Sequence, residues 1–547
     1  MKIEYENSSI TLDEINEKNL VSTLSKEFDK FNDDRVSQLN DIKIIQNSIY
    51  NINLQPKEVW NSHIELPDLY ELAQTLKSHI SENLYSNPES MFDVAASSQS
   101  SQMFANRQKA MLVDVFEKMN LKSEMEKMIT GIVETGETTF FVGWETRVKQ
   151  VRRLKTLDEQ LMSGDEKSFV LDNKVVYDNP KIKFISPENF VFDKENFNSW
   201  DSCKKFYRTY LTLDDVVSDT SNNFLTNEKI EILKEVVESK KQKENGNKLE
   251  IVEIWGDVEL SDGTLLKNWL IVLAGRKEII RFESNPYVIN PFIHANIIEN
   301  PYTKRGISPL RVALILNNIS STILNKQIDA LALMINPPYL APKGCFKGEQ
   351  VVKPGKIIEY DSALMPQAPT QLNFEKAMVG WDFLNYFKNT IESATGIFKN
   401  MSGNIQSQMR TATELNYSAN GQEARLNMLL DSISQKIIIP VVEKTAEIIA
   451  DFKLGKELIM VNDRGKTSFV EITDDVRNGD YIYRYGDRKA SITRKLMLKE
   501  LFEVVKSFAT VSEVAQNVDW LECFKYALEQ YGIENVNNFL VQKGDKK

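Results

Sequence analysis

Cysteine is scarce in this sequence, which excludes several kinds of site. The three cysteines in 547 residues are Cys203, Cys345 and Cys523. They lie far apart and form no CxxC pair, so the sequence predicts neither a disulfide framework nor a cysteine zinc site. Their spacing is typical of an intracellular protein.

Histidine is equally rare. The three histidines are His63, His79 and His294, and none lies at the spacing of a metal-ligand pair. We interpret His63 and His79 as packed or solvated imidazoles, with metal ligation as the less favoured alternative. The sequence therefore predicts no bound metal.

Long apolar runs are also absent. No stretch of about 18 apolar residues occurs. The opening segment, MKIEYENSSITLDEINEKNL, lacks the apolar core of a signal peptide. The sequence predicts no membrane span and a protein that works in the cytoplasm where it is made.

Positive charge is not in excess. Lys and Arg number 67 against 78 Asp and Glu, which gives a net charge of -11. This balance disfavours a protein that grips nucleic acid over a broad basic face. It is compatible with a wall that encloses duplex DNA without holding it, because each neutralised phosphate adds affinity and friction.

Catalytic motifs are missing as well. The GKT string at 465–467 resembles the end of a phosphate-binding loop, but Met460 stands where that loop requires glycine. Because the string lies between the strand-like segments LIMV and FVEIT, it predicts a hairpin turn. Residues 474–485 resemble a calcium loop only at their start, since Val476 and Tyr485 occupy ligand positions. The sequence favours a structural protein without enzymatic activity or cofactor.

The composition is nevertheless that of a globular protein, and the length allows two to four domains. The first half predicts an α+β arrangement. Helices are predicted over the polar residues 1–58, over DLYELAQTLKSHISENLY and over about 104–134, where Gly136 closes the last of them. Strands follow from TTFFVGW through 175–295. A charged helix over 227–244 interrupts them, and we interpret it as a solvated insertion.

Two helices flank a stretch rich in proline and glycine in the second half. The first begins at Ser308-Pro309 and stops at the NPP string 336–338, because a residue before proline avoids helical angles. The second covers about 375–395 and ends at Gly396. The stretch between them is longer than an ordinary helix–helix connection. We interpret it as a small functional unit containing a KPG hairpin, with a plain surface loop as the alternative.

The remainder of the chain predicts one long helix and a mixed end. The helix runs from about Thr411 to Phe452, and Pro440 inside it predicts a kink, because proline loses a backbone hydrogen bond and clashes with the preceding turn. Residues 456–487 are strand-like, and 490–541 are predicted to be helical.

This order of elements resembles the core of the tailed-bacteriophage portal protein (head-to-tail connector), especially its short-tailed-phage branch. The strings that carry the resemblance are Trp60-x-Ser62 with Pro67 and Tyr70, GIVETGETTFFVGW around Gly136, Ser186 to Asp193, Gly306-x-Ser308-Pro309 with Asn325 to Asp329 and Asn336-Pro337-Pro338, and Arg410-Thr-Ala-Thr413-Glu414 before EARLNMLLDSISQKIIIPVVEK.

The resemblance implies a mostly helical α+β portal-type fold. The implied divisions are an N-terminal arm (1–60), a wing of helices and small β-sheets (61–306), a descending stem helix (307–336), a small α/β clip (337–373), an ascending stem helix (374–396), a tunnel loop (397–411), a long kinked helix (412–453) and a C-terminal crown (454–547).

The resemblance also implies function and partners. Such a chain forms a ring, expected to be a dodecamer, at one capsid vertex of the virion, and it assembles in the bacterial host cytoplasm. Double-stranded DNA passes through non-specifically during packaging and ejection. The implied protein partners are terminase, head–tail adaptor or tail proteins, and the major capsid or scaffold protein. Twelve copies at -11 each would carry roughly -132, a field that discourages DNA from adhering to the wall.

Three sets of residues are candidate sites under this resemblance. The DNA-facing tunnel-loop residues are Lys399, Gln406, Ser407, Gln408 and Arg410. The partner-docking lysines of the clip are Lys343, Lys347, Lys353 and Lys356. The third is Pro440, the expected kink. The alternatives are that Arg410 caps the next helix or pairs with Glu414, and that the clip lysines are merely solvated.

Two other functions stay open at this point. A capsid or scaffold component would lack a tunnel, and native mass distinguishes it from a closed ring. A packaging ATPase or nuclease is less favoured, because it needs a phosphate loop or a carboxylate metal cluster; an ATPase assay tests it.

Overall fold

The computed structural model describes residues 17–50, 62–84, 88–154, 169–195, 200–241, 248–260, 263–287, 289–300, 305–335, 339–340, 363, 370–371, 381–396, 425–463 and 466–486. Helices and sheets both occur within them, which confirms the α+β class. The finer portal-type arrangement and its domain limits stay predictions. Two compact units divide the chain, the first holding 1–80, 126–141 and 184–429 and the second the rest.

The described helices are α1 (Glu17–Tyr50), α2 (Asp68–Leu84), α3 (Pro88–Met91), α4 (Ala105–Lys118), α5 (Leu121–Thr135), α6 (Leu213–Ser218), α7 (Asn227–Lys241), α8 (Arg311–Ile335), α9 (Trp381–Thr395), α10 (Ile439–Phe452) and α11 (Asp474–Arg477). The described strands are β1 (Phe92–Ala96), β2 (Glu137–Leu154), β3 (Phe169–Ile185), β4 (Phe190–Phe192), β5 (Lys205–Thr212), β6 (Lys248–Glu259), β7 (Leu265–Ala274), β8 (Glu278–Ser284), β9 (Phe292–Asn296), β10 (Glu299–Asn300), β11 (Arg305–Gly306), β12 (Tyr339–Leu340), β13 (Thr370–Gln371), β14 (Glu457–Asp463), β15 (Lys466–Ile472) and β16 (Tyr481–Tyr485).

A five-stranded antiparallel sheet, in the order β4-β5-β6-β7-β8, forms the centre of the first unit. Both of its faces are covered, which explains the nearly continuous apolar runs of its strands. Alternate residues face opposite sides. Val252 and Ile271 pack with Phe28 of α1, whereas Ile251 and Val272 belong to the apolar cluster on the other face.

Helix α7 corrects one expectation. The helix is present at Asn227–Lys241, as predicted, but it is not a solvated insertion. Its Leu233, Val236 and Val237 are buried in the apolar cluster on one face of the central sheet. Because these residues are three and four apart, they share one side of the helix. The many charged residues of this segment lie on the rest of the helix surface. They outnumber the apolar residues in the sequence, so the narrow apolar stripe was not recognised.

The predicted single helix over 104–134 is wrong. Two helices, α4 and α5, stand there, and Asn120 between them has a φ of 52°. Asparagine adopts this left-handed conformation more readily than most residues. The turn after α5 agrees with the prediction, because Gly136 has a φ of 77° and ends the helix.

The second unit is built around α4, α10 and short β-pairs. Strand β1 pairs antiparallel with β16, and the rings of Phe92 and Phe116 meet edge to face at 5.5 Å. Strands β14 and β15 pair antiparallel up to Asp463 and Lys466. This register confirms the hairpin predicted from the GKT string.

The two long helices of the second half of the chain agree with prediction. Helix α8 begins at Arg311, a few residues later than predicted, and ends at Ile335. Helix α9 ends at Thr395, and Gly396 follows with a φ of 75°. The two helices pack against each other within the first unit.

A π-helical turn precedes the predicted kink. Residues Ser434–Ile438 form it, and the Ile439 N–H donates to the Ser434 carbonyl, five residues back. Pro440 follows two residues later, inside an unbroken helical run over 425–452, where it lacks the N–H that a helix interior uses. The kink itself stays a prediction.

The tunnel-loop residues Lys399, Gln406, Ser407, Gln408 and Arg410 lie outside the described residues. The clip lysines Lys343, Lys347, Lys353 and Lys356 and the KPG hairpin do so as well. The predicted helices over 490–541 also fall outside them. All of these assignments stay predictions.

Candidate functional site: the approach to helix α8

Two glycines bring the α5–β2 turn and the approach to α8 into contact. A β-carbon on Gly306 would lie 2.4 Å from the Gly136 carbonyl oxygen, and one on Gly136 would lie 2.1 Å from that of Ile307. Each glycine is therefore in contact with backbone rather than with a flexible side chain. The Gly136 carbonyl also accepts the Ile297 N–H at 3.0 Å. Two of the sequence motifs, those around Gly136 and Gly306, are 170 residues apart in the sequence and thus meet at one crossing.

Ser308 fixes the start of α8 at this crossing. Its hydroxyl donates to the Val133 carbonyl of α5 at 2.8 Å and accepts the Leu310 N–H at 3.1 Å. The serine lies three residues before the first residue of α8, rather than at the helix start as predicted, and it joins this approach to α5. A threonine or serine hydroxyl at such a position satisfies a backbone N–H that the helix leaves unpaired.

The carboxylate of Glu137 lies beneath the crossing and is fully buried. Arg35 of α1 donates to one oxygen, and Gln38 donates to the other at 3.1 Å. Burial alone would raise the pKa of Glu137, but the positive charges of Arg35 and Arg305 lower it to about 2. Arg35 also donates to the Phe190 carbonyl. One carboxylate thus connects α1, β2 and, through Arg35, β4.

A second buried arginine lies in the same cluster. Arg305 lies over the ring of Phe192, at 4.2 Å from its centroid. None of its three guanidinium nitrogens has a hydrogen-bond partner in the part of the chain that the structure describes. Burial, and then the charge of Arg35, lower its pKa to about 9. Glu137 is therefore the nearby anion that offsets two buried cations.

His294 completes the cluster as a neutral ring. It lies on β9, hydrogen-bonds Thr139 at 2.9 Å through Nδ1, and contacts Phe192 and Trp200. Burial lowers its pKa to about 4. His294 is thus a packed imidazole. Among the described residues, no group of three or more His, Cys, Asp or Glu could hold a metal ion.

The His294 environment predicts a pH-dependent stability. Its folded pKa of about 4 is below the ordinary 6.5. As pH falls from about 6.5 to about 4, His294 is protonated in the unfolded chain but stays neutral in the folded protein. The contribution of neutral His294 to the free energy of unfolding is therefore complete above about pH 6.5 and decreases within this window. We expect the free energy of unfolding to fall by about 2 kcal/mol between pH 7 and 5, and by much less in His294→Gln. Urea unfolding at both pH values measures this; parallel losses in the two proteins would contradict it.

A polar ladder on α8 holds the segment 62–66. Three side chains one turn apart, Ser321, Asn325 and Asp329, lie on one side of the helix. The Leu66 N–H donates to the Ser321 hydroxyl at 3.1 Å. The Asn325 amide binds both backbone groups of Ile64, accepting its N–H at 2.7 Å and donating to its carbonyl at 2.8 Å.

Asp329 ends the ladder at Ser62. Its carboxylate accepts the Ser62 N–H at 2.6 Å and the Ser62 hydroxyl at 2.8 Å. The backbone N–H is the main cause that lowers the pKa of Asp329. Two strings that the sequence analysis singled out, Trp60-x-Ser62 and Asn325 to Asp329, are therefore in direct contact.

The ladder predicts a position-specific loss of stability. Asn325→Ala removes two side-chain hydrogen bonds and should cost about 1–2 kcal/mol of unfolding free energy. Asn318→Ala is the matched control, because Asn318 is exposed on the same helix and gains the same helix propensity. Urea unfolding gives both costs, and limited proteolysis should cut near 62–66 faster in Asn325→Ala only. Equal behaviour of the two variants would show that the ladder contributes nothing.

The comparison with known families decides the identity of the chain. The family model described as Phage SU10 portal protein matches residues 163–541. The chain belongs to this family. A search of curated proteins gave no match.

The portal family match has a clear extent along the structure. It includes the approach to α8, α8 itself and α9, together with the sequence between and after them. It begins after the α5–β2 turn, so the strings around Ser62 and Gly136 rest on the resemblance alone. The family is one of structural components of phage particles, which agrees with a non-enzymatic role. Among the described residues, no helix has the length and apolar run that crossing a bilayer requires.

Sequence reasoning found part of this portal site and missed the rest. It singled out Gly136 and Ser308 because helix ends have local signatures, and Gly306 through the resemblance. It missed Arg35, Glu137 and Arg305. Nothing in the neighbouring sequence marks them, since Arg35 and Glu137 are 102 residues apart.

Proposed function

We propose that the chain is one subunit of a closed ring, expected to hold twelve copies, at one vertex of a phage capsid. Double-stranded DNA passes through this ring during packaging and ejection. The observation that carries the proposal is the portal family match over 163–541. The match spans both long helices and the sequence that joins them.

The described helices support the proposed stem. Helices α8 and α9 pack together although 45 residues separate Ile335 from Trp381. In this proposal the two helices run in opposite directions, as the descending and ascending stem helices, so that the intervening sequence lies at one end of the pair. In this proposal that end is the clip, 337–373, whose lysines Lys343, Lys347, Lys353 and Lys356 dock terminase and later the tail adaptors. Complementary charge on such partners would speed and orient docking.

The tunnel is assigned to the residues after Gly396. Lys399, Gln406, Ser407, Gln408 and Arg410 would contact the phosphates weakly. Only two of these five carry positive charge, so they would retain DNA with little friction. The wing, 61–306, would face the capsid or scaffold protein, and the crown, 454–547, would lie inside the head.

The proposal predicts a ring of defined mass. Twelve copies of 62.8 kDa give about 754 kDa, and native mass spectrometry should find this species or one within a few subunits of it. A monomer or an open series of masses would contradict the ring. An ATP hydrolysis assay on the same sample should stay at background, because a portal subunit is not itself the motor.

A deletion tests the tunnel role independently of assembly. Removing residues 400–408 should leave the ring mass reduced only by the missing residues. The packaged genome should then slip out or stall, which is measured as DNA retained in filled heads. Heads of this variant that package and hold a full genome at normal yield would contradict the assignment.

A further inference from the structure

The outer parts of β2 and β3 form a two-stranded ribbon without a third strand. We define the ribbon as Glu145–Leu154 and Phe169–Tyr177. Strand β9 pairs only with Glu137–Phe141 of β2, so among the described residues the ribbon has no further sheet neighbour. Nearly all of its residues are exposed. An isolated two-stranded ribbon is marginally stable in water.

Large apolar side chains cover this ribbon. The exposed ones are Val148, Val151, Leu154, Phe169, Leu171, Val175 and Val176. Phe169 is 61% exposed and Leu154 is 62% exposed. Because successive residues of a strand point to opposite faces, Val148 and Val151 lie on different faces and so do Val175 and Val176. Both faces therefore present apolar surface to solvent, which is typical of a protein-binding surface.

The ribbon strands are basic in an acidic chain. Their five cations are Arg147, Lys149, Arg152, Arg153 and Lys174, against the two carboxylates Glu145 and Asp172. Arg147 pairs with Glu145 and Arg153 with Asp172. The other three cations form no ion pair in the described part of the chain. The whole chain carries 78 acidic against 67 basic residues, so a second copy offers the opposite charge.

We propose that the ribbon docks on an acidic surface of a neighbouring copy and is a subunit contact of the ring. This inference rests on the proposed function and adds the surface through which neighbouring subunits of the ring are in contact. Exposed aliphatic residues favour a protein partner over DNA, because phosphates would satisfy the cations but leave the valines and leucines in water. In this contact, the ribbon of each copy binds a different surface of the next copy. Such a contact is heterologous, and heterologous contacts generate rings.

Charge insertion tests the contact. The double variant Val148→Asp with Val176→Asp places two carboxylates on the ribbon. The acidic surface of the neighbouring copy would repel these carboxylates. We expect ring abundance at equal protein concentration to fall by more than about tenfold, measured by native mass spectrometry. A small loss of binding free energy at each subunit contact is enough for a tenfold fall. Val217→Asp on α6 is the matched control, since Val217 is similarly exposed, at 47%, and lies outside the ribbon. Circular dichroism should be unchanged in both variants.

Cross-linking locates the partner surface without any variant. Unlabelled and ¹⁵N-labelled protein are mixed before assembly and treated with a zero-length reagent that joins lysine amines to carboxylates. Lys149 or Lys174 should be joined to an Asp or Glu peptide of the other isotope. Joining only within one isotope would overturn the proposal.

The outcomes separate this inference from the proposed function. If the wild-type protein forms no ring, both fail. If it forms rings and the Asp variant does too, only the ribbon contact fails. A ribbon that instead binds DNA would leave rings intact in the Asp variant, and Lys149→Glu with Arg152→Glu would lose affinity for a fluorescent duplex; this result would also overturn the proposal.

Discussion

Gly306→Ala is expected to destabilise the protein by more than about 3 kcal/mol or to prevent folding. The added β-carbon would lie 2.4 Å from one backbone oxygen and 2.5 Å from the carbon it is bonded to. No side chain can rotate away to relieve this contact, so the α5–β2 turn and the approach to α8 must separate. Urea unfolding, or soluble yield where unfolding cannot be followed, measures the loss.

Gly263→Ala is the control for this effect. Gly263 has a φ of 86°, which strains an alanine, but nothing lies within 4 Å of the position of its β-carbon. Its cost should be about 1–2 kcal/mol, from backbone conformation alone. Gly306 lacks a left-handed φ, so its cost is steric. If Gly306→Ala cost no more unfolding free energy than Gly263→Ala, the backbone segments at the crossing would be farther apart than the structure shows.

Glu137→Gln should be the second large effect, costing about 3–5 kcal/mol of unfolding free energy. Glutamine keeps the shape of the side chain but removes the charge that offsets the buried Arg35 and Arg305. A buried cation without a counter-charge is strongly unfavourable. Glu145→Gln is the control, because Glu145 pairs with Arg147 and Lys181 near solvent and such pairs contribute less than about 1 kcal/mol.

The Glu137 contribution also has its own pH window. Its pKa is lowered from 4.5 to about 2, so the stabilisation is complete above about 4.5 and is lost as pH falls toward 2. Glu137→Gln should lack this acid dependence, whereas Glu145→Gln should keep it. Equal costs for the two variants, or an unchanged acid limb in Glu137→Gln, would mean that Arg35 is offset by another group.

The sequence predicts local structure here better than it predicts contacts. Gly136 and Gly396 end helices as expected, because each stands where only glycine easily takes a positive φ. Asn120 carries a weaker form of the same signal, and the break it makes between α4 and α5 was not expected. The burial of α7 was missed for a different reason, since three apolar residues among many charges define a stripe only when a sheet lies beneath them.

Long-range features could not be predicted at all. The pairing of Arg35 with Glu137 depends on α1 packing across the sheet, and neither residue differs from any other surface charge in its own neighbourhood. The ladder is an intermediate case. Its two strings were singled out by resemblance, but their contact follows from the one-turn spacing of Ser321, Asn325 and Asp329 only after the path of 62–66 is known.

The ladder has a consequence for how this part of the protein can evolve. On the side of 62–66, four of its bonds use backbone groups, and Ser62 alone also contributes a side chain. Backbone groups are the same for nearly every residue type, so mutation at 63–66 leaves the bonds in place unless proline enters at 64 or 66. Selection should therefore act on the three helix positions and on Ser62, while His63 and Glu65 drift. Among portal relatives, we expect substitutions to accumulate at residues 63–66 and to be rare at the three α8 positions that bind this segment.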